Sequence, residues 1–138
     1  MKVVLDTHVL VWLMEGESRL AAQSRRLIDE AATTGEVLVS AITPWEIAML
    51  IDKGRLVFNR DVSEWLELAF RVPGIHLSPL SPVISVGATR LPGLVHGDPA
   101  DRIIIATARH EGACLITEDR AILDYAAQGH VQALRAAL

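Results

Sequence analysis

Lys2-Val3-Val4-Leu5-Asp6-Thr7-His8-Val9-Leu10-Val11-Trp12-Leu13-Met14 reads as a strand, a polar turn and a helix with nothing between them. Lys2 leads into Val3-Val4-Leu5, an apolar run with two β-branched residues and no polar alternation, which predicts a strand over 2–5. Residues 8–14 predict the helix that follows it. A strand passing directly into a helix is the first half of a βαβ unit, so a parallel sheet is expected. Asp6 then stands where the strand ends and the helix begins.

The remaining sequence repeats this alternation. Leu20, Ser24, Leu27, Ile28 and Ala31 keep helical spacing in a segment that starts near Ser18 and ends at Gly35. Residues 37–39 predict a second strand, and Thr43-Pro44-Trp45-Glu46 opens a helix that runs to Lys53 and stops at Gly54. A helix is expected over 61–70, with Val62, Trp65, Leu66 and Ala69 on one face. A short extended piece follows at 75–77, then a helix over 83–91. Asp98-Pro99 starts a helix through Glu111, ended by Gly112; residues 113–116 read as a strand and 119–127 as a helix. Residues 131–134 fit either a last strand or a helix. The expectation is one α/β domain over residues 1–138, a three-layer α/β/α sandwich around a small parallel sheet.

Composition agrees with that class. Apolar residues make up 51% of the 138 and aromatics only 4%, so the core is built from aliphatic side chains. The net charge of −4 argues against a protein that grips nucleic acid through a broad basic surface. It leaves room for a site that meets phosphate through a bound cation. The single cysteine, Cys114, lies in an apolar run and reads as a small core residue in a reducing compartment. No apolar stretch is long enough to span a bilayer, and Asp6 interrupts the N-terminal run before it can act as a signal segment. A cytoplasmic protein is expected.

The acids are the informative residues. Asp6 ends the first strand, Glu46 and Asp101 fall at the starts of helices, and Asp119 follows the strand ending Leu115-Ile116-Thr117. In a parallel α/β sheet, strand C-termini and helix N-termini share one rim, where ligands bind. Each acid also has a plain structural role open to it. Thr43-x-x-Glu46 is a capping-box pattern with Pro44 at the first helical position. Asp98 reads as an N-cap with Pro99 at N1 and Asp101 at N3, and Asp6 and Asp119 fit as N-caps too. Gathered on one rim, however, close carboxylates raise each other's pKa and repel unless a cation neutralises them. Mg²⁺ or Mn²⁺ is the natural partner, and such a site suits phosphodiester hydrolysis.

Four pieces, Leu5-Asp6-Thr7-His8-Val9-Leu10-Val11-Trp12, Ser40-Ala41-Ile42-Thr43-Pro44-Trp45-Glu46-Ile47-Ala48, His96-Gly97-Asp98-Pro99-Ala100-Asp101-Arg102 and Leu115-Ile116-Thr117-Glu118-Asp119, appear in this order. Together they resemble the successive motifs of the PIN-domain family, in particular its VapC-type toxins. The resemblance implies a parallel α/β sandwich, Mg²⁺- or Mn²⁺-dependent RNA cleavage and a small antitoxin as partner. It assigns the metal-binding acids to Asp6, Glu46, Asp101 and Asp119, with Thr7 and Thr117 as accompanying hydroxyls. The chain departs from the family pattern in two places. Met49-Leu50-Ile51 stands where a lysine is common, the basic residues coming later as Lys53 and Arg55. Ala100 stands where a large apolar residue is common.

His8 and His96 lie near the expected site and read as packing or hydrogen-bonding residues. Arg102 is set either to touch RNA phosphate or to pair with a site carboxylate. Trp12, Trp45 and Trp65 read as core or interface residues. The apolar faces around 45–51 and 62–70 are expected to serve homodimerisation and partner binding. No nucleophilic triad has supporting context and no phosphate-cradling glycine loop is present. The alternatives are a non-cleaving PIN-like module and a receiver-like regulatory α/β module. A receiver pairs two acids near its start and places a lysine late, whereas here Asp6 stands alone and no lysine follows Lys53.

Overall fold

In the computed structural model, which describes residues 1–93 and 97–137, the opening strand Val3–Leu5 (β1) lies at the middle of the sheet with all three residues fully buried. Val37–Ser40 (β2) and Ile75–Ser78 (β3) extend the sheet to one side; Cys114–Thr117 (β4) and Ala133–Arg135 (β5) extend it to the other. The order is β3-β2-β1-β4-β5 and every pairing is parallel. Val3 is in register with Val37 on one flank and with Cys114 on the other. The chain therefore winds outward through β2 and β3, then returns to the far side of β1. The point where winding reverses lies between β1 and β4, which is where a parallel sheet opens a crevice at its C-terminal edge.

Period-two alternation sends successive strand residues to opposite layers. Val3, Leu5, Val37, Val39 and Ile116 pack with Thr7–Glu15 (α1), Ala22–Thr33 (α2) and Val62–Arg71 (α4), joined by Ile47 of Ile42–Asp52 (α3). Val4, Leu38 and Leu115 face the other way, onto Pro99–Glu111 (α6) and Arg120–Ala127 (α7). Pro82–Thr89 (α5) packs outside α6 through Ile84, Ala88 and Ala106. This is the expected three-layer α/β/α sandwich. None of the described helices is long and apolar enough to cross a membrane.

Three local expectations shift. The helix anticipated from Ser18 begins at Ala22, because the backbone before it is engaged by the C-terminal tail. Ala21 N donates to Ala136 O at 3.0 Å, and Ser24 Oγ donates to Arg135 O at 3.2 Å. Of the ambiguous residues 131–134, Ala133 and Leu134 resolve as strand and Val131 and Gln132 lead into it, with Leu115 N donating to Gln132 O at 2.9 Å where β5 joins the ladder. The apolar face of α4, expected to be available to a partner, is largely used by the protein's own core. Trp65 and Ala69 are buried and Val62, Leu66 and Phe70 pack beside them. Trp65 stacks on Phe58 with ring centroids 4.4 Å apart, and Trp12 is buried beneath the Arg19 guanidinium. Trp45, by contrast, is 57% exposed. Cys114 is buried, as expected of a core residue.

Gly74 is the glycine that the sheet requires. Its φ is +88°, and a Cβ there would stand 2.1 Å from Ala32 O at the end of α2. Gly74→Ala thus combines a left-handed conformation, which costs a non-glycine residue about 1–2 kcal/mol, with a backbone clash. Gly87, inside α5 with open space around it, offers the contrast, since alanine in a helix interior is favoured by about 1 kcal/mol. Urea unfolding should show Gly74→Ala destabilised by more than about 2 kcal/mol and Gly87→Ala unchanged or slightly more stable. Equal midpoints for the two variants would contradict this account.

Candidate metal centre

The acids arrive on the C-terminal rim with the starts of α1, α3, α6 and α7. Asp6 leaves β1 and caps α1, its Oδ1 accepting from Thr7 N at 2.8 Å. Asp119 leaves β4 and caps α7, accepting from Ile122 N at 3.0 Å. Asp98 caps α6, accepting from Ala100 N at 3.0 Å and Asp101 N at 3.3 Å, with Pro99 at the first helical position. Asp101 follows in the first turn of α6 and is buried. Glu46 sits one turn into α3. The capping role and the clustering therefore coexist in Asp6, Asp98 and Asp119.

The capping box read at Thr43-x-x-Glu46 does not form. The helix starts earlier, at Ile42, with Ala41 at the N-cap position and no side-chain bond there. Thr43 is instead fully buried, and its Oγ1 lies 3.1 Å from Thr7 Oγ1. The Thr7 hydroxyl also donates to Glu46 Oε1. Across the sheet, the Thr117 hydroxyl donates to Asp6 Oδ2 at 2.6 Å and accepts from Asp119 N at 3.0 Å. Both threonines singled out beside the acids thus bond to one of them. Thr43 was missed as a member of this group. The residue pattern pointed to a local cap, and its actual partner is 36 positions away.

Electrostatics shows how closely the acids gather. Asp101 is pushed up to about 8, first by burial and then by Asp6, Asp98, Asp119 and Glu46 together. Burial raises Glu46 as well, against the Thr7 hydrogen bond, with Asp6 and Asp98 adding repulsion. Burial likewise raises Asp6, which the Thr117 and Thr7 bonds and nearby His8 partly oppose. The other three acids predicted from sequence, with Asp98, therefore all lie within reach of Asp101. His8 is exposed at the start of α1. Arg102 lies against α5, its Nε donating to Ala88 O at 3.0 Å. His96 lies outside the described residues.

The donor set is oxygen alone, from carboxylates and hydroxyls, and it concentrates negative charge. That chemistry fits a hard divalent cation. Among the described residues no three His, Cys, Asp or Glu side chains form a ready-made cage. A cleft of about 510 Å³ reaches the site at Thr7 and His8, is lined also by Trp12, Arg19, Arg55 and Phe58, and has none of the five acids in its wall. A larger concavity of about 940 Å³ lies near Cys114 and Ala133, at the opposite end of β4 and β5, and contains none of the acids.

The description "PIN domain" fits residues 3–128 of the chain. Ribonuclease VapC22 of Mycobacterium tuberculosis is 36% identical over 119 residues, spanning 86% of this chain and 87% of that protein. Among solved structures, VapBC2 from Rickettsia felis, bound to a DNA fragment from its promoter, superposes with a TM-score of 0.71 at 16% identity over 98% of each chain. VapBC-5 of M. tuberculosis, described as a member of the VapBC family of toxin–antitoxin systems, gives 0.55 at 19% over the full length of both. At these identities the structural matches establish the shared fold.

The Asp101 shift has a measurable consequence in metal-free protein. Its carboxyl ionises near 3.8 ordinarily and near 8 when folded, so folding favours the protonated form. The resulting stability is complete below the unfolded value and is lost as pH rises through about 8. Thermal melts in EDTA should fall between pH 4 and pH 8, Asp6 and Glu46 acting in the same direction. Asp101→Asn should flatten that slope. A variant whose melting temperature tracks the parent across the range would contradict the assignment.

Proposed function

We propose that this chain, which belongs to the PIN-domain family, is a divalent-metal-dependent endoribonuclease and the toxin half of a toxin–antitoxin pair. The observation that carries the reading is the burial of Asp101 within the combined field of Asp6, Glu46, Asp98 and Asp119. The relative named a ribonuclease covers most of the chain and supports RNA as the substrate.

Asp6, Glu46, Asp101 and Asp119 would hold Mg²⁺ or Mn²⁺. A bound cation would supply Lewis acidity toward the scissile phosphate and the attacking water. The chain itself contributes orientation. Thr117 fixes one oxygen of Asp6 while the Thr7 backbone fixes the other. The Thr7 hydroxyl holds Glu46. Asp98 sets the start of α6 and so places Asp101 over the rim. Arg55 lines the cleft that opens from Thr7 and His8. It thereby offers RNA phosphate a cation that Met49-Leu50-Ile51 does not.

An antitoxin is the expected inhibitor, and an acidic pocket of this kind invites an arginine or lysine from it. The VapBC structures sharing the fold support a partner of that class. Exposed Trp45 on α3 supports homodimerisation, since a large exposed apolar side chain is a common interface anchor. A cytoplasmic location accompanies this reading.

Purified, partner-free protein should cut RNA with Mg²⁺ or Mn²⁺ and stop in EDTA. Undiminished cleavage in EDTA would remove the metal mechanism, and no cleavage under any metal would favour a non-cleaving PIN module. Asp98→Asn should keep most activity, because asparagine caps as well as aspartate, while Asp98→Ala should lose about 1 kcal/mol of stability. Asp101→Asn should lose more activity than the roughly 10–100-fold typical of groups that only support a ligand. It should remain folded. If Asp98→Asn were the inactive variant, the two roles would be reversed.

A further inference from the structure

Thr43 is fully buried three residues before Glu46, yet it neither caps its helix nor faces solvent. Among the described residues its hydroxyl has one partner, Thr7 Oγ1 at 3.1 Å. Thr7 Oγ1 in turn reaches Glu46 Oε1. A hydroxyl has one proton to give, and an ionised carboxylate only accepts. The Thr7 proton therefore goes to Glu46, and the Thr43 proton goes to Thr7. The direction of the relay is fixed by the chemistry of its last member.

We propose that Thr43 is a positioning residue for Glu46, acting through the Thr7 hydroxyl. The inference rests on the reading of Glu46 as a metal-holding carboxylate and adds the device that aims it. Thr7 bonds two acids at once: its N–H goes to Asp6 Oδ1 and its O–H to Glu46 Oε1. These acids stand on different helical segments, and each disfavours the charge of the other. Left to that repulsion, the Glu46 side chain would swing toward water, since it is only partly buried. Threonine has a stiff χ1 with more than one hydroxyl placement open to it in a helix. By filling the acceptor side of the Thr7 oxygen, Thr43 selects the placement that points the proton at Glu46. A hydrophobic residue of the same shape at 43 would fill the space and leave Thr7 free to turn.

The test compares Thr43→Val, which keeps shape and loses the hydroxyl, with Thr43→Ser, which restores the hydroxyl. Calorimetric titration with Mn²⁺ on the purified chain reads the effect without relying on turnover. Thr43→Val should weaken Mn²⁺ binding about tenfold, as expected for a group that orients a ligand. It should shift the Mn²⁺ concentration needed for RNA cleavage by the same factor. Thr43→Ser should recover most of the loss. In a Glu46→Gln background, Thr43→Val should add nothing further, because the relay then has no carboxylate to aim. If Thr43→Val does not fold, Thr43→Ala and the Thr43→Ser comparison carry the same measurement. Thr43→Val that melts lower but binds Mn²⁺ like the parent would overturn the proposal and leave Thr43 a packing residue. A parent protein that binds no Mn²⁺ and cuts no RNA would overturn the metal reading itself, and this inference with it.

Discussion

The hydrogen bond from the Thr117 hydroxyl to Asp6 Oδ2 joins residues 111 positions apart, across the gap where the winding of the sheet reverses. Both residues stand at a strand end: Asp6 directly follows β1, and Thr117 is the last residue of β4. Their meeting depends on β1 and β4 being neighbours with Leu5 opposite Ile116. A slip of one residue would turn every side chain to the other face and separate them. Fully buried Val3, Val4, Leu5, Leu115 and Ile116 hold that register. The candidate centre is thus a direct result of how the aliphatic core packs.

Helix ends make the acid cluster tolerable. Each helix N-terminus presents unsatisfied N–H groups and the positive end of a dipole. Asp6, Asp98 and Asp119 each bond such groups, at the starts of α1, α6 and α7. Three of the five carboxylates thereby receive local compensation that holds them near one another. Asp101 and Glu46 are placed inside their helices, and burial dominates both. Burial opposes the charge of three of the five, Asp6, Asp101 and Glu46, and at Asp6 the hydrogen bonds from Thr117 and Thr7 partly offset it. Under the proposed function a divalent cation would supply what those three lack, so the repulsion in the metal-free state and the affinity for a cation would have one origin.

Much of this was readable from residue order. The uninterrupted run Val3-Val4-Leu5 followed at once by a helix gave the parallel sheet, and Asp98-Pro99 with Gly112 gave both ends of α6. The acids could be placed on the rim because strand ends and helix starts coincide there. What escaped was non-local. Helical spacing from Ser18 through Leu20 and Ser24 placed a helix start too early, because Ala136 in the tail accepts from Ala21 N. Thr43 matched a capping box, and only the proximity of α1 to α3 shows that its hydroxyl belongs to Thr7. The apolar face of α4 looked surplus because its contacts with Phe58 and the sheet are tertiary. Local rules located the elements and the charges; they carried no information on which hydroxyl points at which acid.

The acidic balance of the chain then follows from how the site would engage RNA. A protein that binds phosphate by its own cations needs a basic surface, and its affinity falls steeply with salt. A net charge of −4 opposes such binding at a distance. Under the proposed function the attraction is concentrated at one point, a cation held among carboxylates, and the phosphate completes its coordination. The same proposal bears on inhibition. A cationic side chain entering the rim would relieve the repulsion on Asp101 and Glu46 as a metal would, yet it would bring no Lewis acid. Either kind of cation at the rim would then separate an active state from an inhibited one without a change in the sheet.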